Sequence, residues 1–309
     1  MMKTPQRILA VLLLSAVAQA ASAVSIVFDY SYDASGFFAD AARQNTLNQA
    51  GAYLGNRLKD NLTAITSVGS DNFTANFSNP SDPTNSASAV SIPNASVAAN
   101  VIRVYVGASD LGGTTLGIGG PGGFGATGSS QAYLDNVASR GQTGALVNPA
   151  TDFGPWGGAL GFNSANTTWY FDQDINSIES FSGFDFFSVA VHELGHLLGI
   201  GTANSWSNQI SNGNFTGAFS SAAHGGSVPL ANGAHWAMGM TGMYEGSSRE
   251  TAMGPNITAG QRNYFTDLDF AALKDIGWEV SPAPVPLPGA LVLLFSGLSL
   301  MVAWGKRST

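Results

Sequence analysis

Two histidines four residues apart bracket a glutamate in the run His192-Glu193-Leu194-Gly195-His196. On an α-helix, residues four apart lie one above the other on one face, so both imidazoles can turn a nitrogen to a single metal ion. Glu193, one residue on, projects beside that ion. A zinc ion held by two neutral imidazoles and a third protein ligand keeps one position open, and water bound there has its pKa lowered to about 7. Glu193 is then the natural acceptor for the proton of that water. The spacing therefore implies hydrolysis by an activated water.

This chemistry requires a helix. Phe187, Val191, Leu194 and Leu198 fall at the spacing of one buried face, Asp185 stands in the N-cap position, and Gly199 and Gly201 supply a stop, so the spacing predicts a helix over about 185–199. A core helix with two hydrogen-bonded histidines is the bland alternative. The chain holds only 4 histidines, His192, His196, His224 and His235, and no cysteine, which makes an accidental pair around a glutamate improbable and leaves no rival thiolate site.

The 309 residues are 44% hydrophobic, 10% charged and 10% aromatic, with 38 glycines, enough for one large domain or two modest ones with a real core. The N-terminus reads as a secretory signal over 1–23: Lys3 and Arg7, an apolar run from Ile8 to Val17, then small residues. At the other end, Pro282 to Pro288 is a stiff linker, and Val285-Pro286-Leu287-Pro288-Gly289 precedes an apolar run from Ala290 to Trp304 and a basic tip of Lys306 and Arg307. That order suits a short membrane segment held by positive residues on the inner side. Between the two ends lie 8 basic and 20 acidic residues, a net charge of about −12. Nucleic acid and anionic membrane are poor partners for such a surface. Without cysteine, an exported chain relies on its core and on any metal for stability.

Taken in order, Ser25 to Tyr32 reads as a strand, Ala39 to Leu62 as a helix, and Thr63 to Ala99 as strands and exposed loops without chemistry. Val101 to Val106 is a strong strand. Gly112 to Gly128 lacks the Gly-Lys-Ser/Thr ending of a phosphate loop and is expected to be a strand flanked by turns beside the cleft. Asn166 to Asp172 reads as a further strand. Thr266 begins a last helix, with Phe265 and Phe270 as a hydrophobic staple and Gly277 as its end. The order is that of an α+β fold spanning 24–281.

At this point two resemblances apply. The run from His192 to Gly199 resembles the opening of the metzincin signature H-E-x-x-H-x-x-G-x-x-H. The position of the third histidine is held here by Thr202, a poor zinc ligand. In the leishmanolysin-like branch a long insertion separates the glycine from the third histidine, and this sequence is similar, with His224 and His235 downstream. The Ala234-His235-Trp236 context favours His235 over His224, which sits in a glycine-rich loop. The resemblance implies a metzincin-like zinc peptidase domain with a mixed sheet, an active-site helix and a long-insertion C-terminal subdomain. It implies zinc on His192, His196 and His235, Glu193 as catalytic base, and Met253 in Thr251-Ala252-Met253-Gly254-Pro255 as the methionine turn. An acidic third ligand, Glu245 or Glu250, is the gluzincin alternative, and Tyr244 is a candidate oxyanion stabiliser weighed against a packing role. Acidic loops such as Asp172 to Asp174 are candidates for calcium.

The C-terminal segment, for its part, resembles a PEP-CTERM sorting signal that begins Val-Pro-Leu-Pro-Ala, with Gly289 departing at the last position. It implies transient membrane association, removal by an exosortase-type enzyme, and delivery from the inner membrane to the surface or exterior of a Gram-negative bacterium. Two functions follow as expectations: a secreted zinc endopeptidase acting on protein or peptide substrates, or a surface or matrix protein that uses the same fold as a structural or binding module.

Overall fold

The computed structural model describes residues 24–282, apart from Ile178. The signal and sorting segments read above therefore lie outside the described residues. The architecture is α+β with mixed sheets.

The principal sheet is built from β1 (Ser25–Asp29), β4 (Val101–Ser109), β5 (Gly117–Pro121) and β7 (Gly157–Asn163) in the order β1-β4-β7-β5. The first three pair in parallel, and β5 runs antiparallel to β7 at the edge. Its faces are covered differently, as the alternation along β4 requires. Val104, Val106 and Phe162 pack under α1 (Ala41–Gly55) and α3 (Phe186–Leu197). Tyr105 and Trp156 instead meet Phe73 and Phe77 of a smaller antiparallel sheet made of β2 (Asn72–Phe77), β3 (Val90–Ile92) and β6 (Gly123–Thr127). Phe77 and Tyr105 stack with ring centroids 4.2 Å apart.

The first strand stops at Asp29, short of Tyr32, and the first helix ends at Gly55, well before Leu62. After the helix the chain turns back to the sheet, and Leu58 forms a bridge with Val280 that ties the two ends of the domain together. The glycine-rich stretch forms two strands in two different sheets. They part at Gly122, where a Cβ would collide with the Trp156 ring. Asn166 to Asp172 supplies only the two-residue strand Trp169–Tyr170. Neither the helix α2 (Gln131–Ser139), only 9 residues long, nor β7, with glycines at 157, 158 and 161, was expected from the sequence.

Helix α3 is buried on every side. Phe186, Phe187, Val189, Val191, Leu194 and Leu197 are all at most 1% exposed, each contributing about 1.5–3 kcal/mol of burial. Asp185 caps it, accepting from Ser188 N–H at 3.1 Å and Ser188 Oγ–H at 2.6 Å. The same carboxylate takes two bonds from Arg262, whose third goes to Asp172 at 2.6 Å. This buried ion group anchors the start of α3 to the segment that leads into the C-terminal helix Asp267–Asp275.

Candidate metal centre

Helix α3 delivers His192 and His196 to one face, as their spacing predicts. Its end is sharp. Gly199 and Gly201 adopt φ of +111° and +77°, a region that favours glycine. Thr202 does not reach the histidines: its hydroxyl donates to the His196 carbonyl at 2.6 Å and closes the helix terminus. The chain then departs through 203–234 and returns at Ala234, which packs so closely on Gly201 that a Cβ there would lie 2.7 Å from the Ala234 carbonyl oxygen. This return brings His235 to the helix.

The Nε2 atoms of the three histidines form a triangle with sides of 3.0, 3.1 and 3.2 Å. Each Nδ1 faces an oxygen: His192 the Ala252 carbonyl at 2.7 Å, His196 the Ile200 carbonyl at 2.8 Å, and His235 the Asn232 Oδ1 at 3.0 Å. Carbonyl oxygens accept only, so these partners place the ring proton on Nδ1 when the Asn232 amide presents its oxygen. Burial holds all three rings below the ordinary histidine range, His192 to about 3 and His235 to about 4, with His196 as a further cause for both. The rings are therefore neutral at physiological pH. Three unprotonated Nε2 lone pairs then converge on one another with no proton between them. A metal cation would relieve that arrangement, and tetrahedral zinc with bonds of about 2.0–2.1 Å needs nitrogens about 3.3 Å apart. The group His192, His196 and His235 can thus hold a metal ion.

Glu193 lies beside them, only 6% exposed, in a cleft of about 740 Å³ lined by Leu116, Gly117, Ile118 and Gly119 on one side and by Gly254, Pro255 and Ile257 on the other. Burial pushes its carboxyl up to about 8, against the pull of a hydrogen bond from Gly119 N–H. The edge strand passes directly over it. A Cβ at Gly117 would sit 2.8 Å from Glu193 Oε1, and one at Gly119 would sit 2.8 Å from Glu193 Cβ.

Met253 is fully buried, and its sulfur occupies the space that a side chain at Gly195 would need. It lies against the helix at Gly195, between His192 and His196. His224 ends the short helix Ala218–His224, exposed to solvent and apart from the cluster. Glu245 occupies the turn of the hairpin formed by Thr241–Tyr244 and Ser247–Glu250, while Glu250 accepts from Gln261 at 3.1 Å. Tyr244 stacks on Tyr264 with centroids 4.2 Å apart, its hydroxyl held above the usual range by burial. None of these residues lines the cleft. Asp172 of the candidate calcium loop is engaged by Arg262.

Sequence reasoning missed the partners of the ligands. Asn232 lies three residues before His235, a spacing that could have been noticed, but the carbonyls of Ala252 and Ile200 carry no side-chain signal. The role of Gly117 and Gly119 was also hidden, because a glycine pattern does not reveal which residue it faces. The chain matches no protein-family profile, and neither a curated protein nor a solved structure matches it.

Proposed function

We propose that the protein is a zinc-dependent endopeptidase of metzincin type, exported and then released or displayed at the cell surface. The observation that carries this reading is the convergence of three neutral imidazole nitrogens, each oriented through its other nitrogen, beside a buried glutamate in an open cleft.

When bound, a zinc ion supplies Lewis acidity toward a scissile carbonyl and lowers the pKa of a coordinated water. His192, His196 and His235 would hold it, and the Ala252, Ile200 and Asn232 oxygens would keep their rings in register. With a cation bound beside it, the Glu193 carboxyl would lose its proton and could then take the proton of the attacking water and pass it to the departing amine nitrogen. The Gly119 N–H holds the Glu193 carboxylate in place for both transfers.

The retained glutamate supports catalysis over a purely structural metal site, because three imidazoles alone would hold the ion. In the purified protein, Glu193→Gln should keep the parental zinc content while casein hydrolysis falls by about 10²–10⁴-fold. Chelation should abolish hydrolysis, and added zinc should restore it. A Glu193→Gln protein that cleaves as fast as the parent would refute the proposal.

A further inference from the structure

Asp269 is a carboxylate with no exposure to solvent, in the first turn of the C-terminal helix. Part of its role is ordinary: Oδ2 accepts from Thr266 N–H at 2.8 Å and Thr266 Oγ–H at 2.9 Å, within a capping box. Three more donors have nothing to do with starting a helix. Oδ2 also accepts from Ala252 N–H at 3.1 Å, while Oδ1 accepts from Met253 N–H at 3.2 Å and from the Trp236 indole at 2.9 Å. Five donors and, among the described residues, no basic side chain surround this carboxyl.

Each of the three extra donors belongs to the metal centre's surroundings. Trp236 follows His235 in the chain and is itself fully buried. Ala252 supplies the carbonyl that fixes the His192 ring. Met253 lies against the helix at Gly195, between the two helix ligands. A further bond, from Trp236 N–H to the Met253 carbonyl at 3.0 Å, joins the two segments on which Asp269 converges. We propose that Asp269 is a positioning residue for the metal centre, which sets His192 and His235 in register through the backbone of Ala252 and Met253 and the indole of Trp236. The inference rests on the reading of the three histidines as a metal site. It assigns the outer support of two ligands from different parts of the chain to one buried carboxylate.

An amide cannot replace it. Whichever way an asparagine turns, its NH₂ faces N–H donors that now point at an oxygen. Asp269→Asn is therefore expected to weaken metal binding by about 10–100-fold. Trp236→Phe removes the indole donor together with part of the packing against Trp206 and Phe215, so it should melt below the parent and, through the lost donor, bind metal about tenfold more weakly. Thr266→Ala removes the capping hydroxyl and leaves Ala252, Met253 and Trp236 bonded, so it should lower thermal stability without changing metal affinity.

The test uses the full chain, stripped of metal and then titrated with zinc and with cobalt(II) against a chromophoric chelator. Thermal unfolding of each metal-free protein is followed in parallel. The cobalt-loaded Asp269→Asn and Trp236→Phe proteins should show a shifted ligand-field spectrum, which a remote loss of stability does not produce. If both bind metal as tightly as the parent with the parental spectrum, Asp269 is only a helix cap and the inference falls. If Asp269→Asn does not fold, the Trp236→Phe comparison decides the matter alone. A parent that binds no metal at all would instead overturn the proposed function.

Discussion

Gly119 and Gly120 are neighbours on β5, yet a methyl group at the two positions meets opposite surroundings. At 119 an added Cβ would lie 2.6 Å from Leu160 Cδ2, 2.8 Å from Glu193 Cβ and 2.9 Å from the Glu193 carbonyl oxygen. At 120 it would meet nothing within 4 Å, and neither residue has a positive φ. Overpacking against backbone and core costs about 1–3 kcal/mol. Filling open space at a compatible glycine stabilises by about 0.4–1 kcal/mol through the unfolded chain. In a domain of this size each kcal/mol moves the melting temperature by about 2–4 °C. Gly119→Ala should therefore melt about 2–12 °C below the parent, and Gly120→Ala should melt slightly above it. The three histidines do not touch either position, so both variants should carry the parental amount of metal. Hydrolysis is where they part. Relief of the clash moves either the strand or Glu193, and a shift of about 1 Å in a catalytic group costs on the order of 10²-fold in rate. Differential scanning calorimetry, metal analysis and casein hydrolysis on the two purified proteins measure all three quantities. A Gly119→Ala protein that keeps the parental rate and melting temperature would show that β5 does not fix the glutamate as described.

The remaining predictions concern the third ligand and the far side of the domain. His235→Ala should lose bound zinc and with it all hydrolysis, whereas His224→Ala, altered at an exposed helix end, should keep both; equal zinc content in the two would remove His235 from the ligand set. Asp60 is buried, accepts from Glu279 N–H at 3.1 and 3.2 Å, and is pushed up to about 6 by burial, with the Glu279 and Asp152 charges adding to the effect. Its folded pKa exceeds the unfolded one, so between about pH 4 and 6 the folded state binds more protons and stability falls as pH rises. Urea unfolding of Asp60→Asn should accordingly show a stability advantage over the parent that grows across this window and is level above it. An advantage that shrinks with rising pH would reverse the assignment.

How much of this was legible beforehand depended on whether the signal was local. Asp185 as a cap, the buried residues of α3, the stop at Gly199 and the Phe265–Phe270 pair, with centroids 5.4 Å apart, all follow from residues within a few positions of one another. Met253 drew attention only through a resemblance to a known turn; its contact with Gly195 is a separate, long-range fact of the fold. What could not be read depended on contacts between distant segments. Nothing around Asp269 in the sequence distinguishes it from any acidic residue in a first helical turn, because Trp236, Ala252 and Met253 reach it only in the folded chain. The glycines of β5 carried composition but no direction. Their meaning came from Glu193, more than 70 residues away.

The long segment between the helix and His235 shows how a histidine far from the helix in sequence can join its two histidines while Thr202 faces the His196 carbonyl instead. In the short motif a turn of three residues must carry the third histidine, so its position depends on that turn alone. Here the returning segment is fixed from three directions: Ala234 lies on Gly201, Trp236 is bonded to Met253 and Asp269, and Asn232 holds the His235 ring. The insertion has its own packing to make that return reproducible. Trp206 stacks on Phe215 with centroids 4.0 Å apart and contacts Trp236 at 5.3 Å, and its indole donates to the Gly233 carbonyl at 2.8 Å. These residues share the main core with α3 and the C-terminal helix, so the insertion is not an independent subdomain. Delivered by a segment packed into the core, His235 meets the two helix histidines although its own ring is only partly buried.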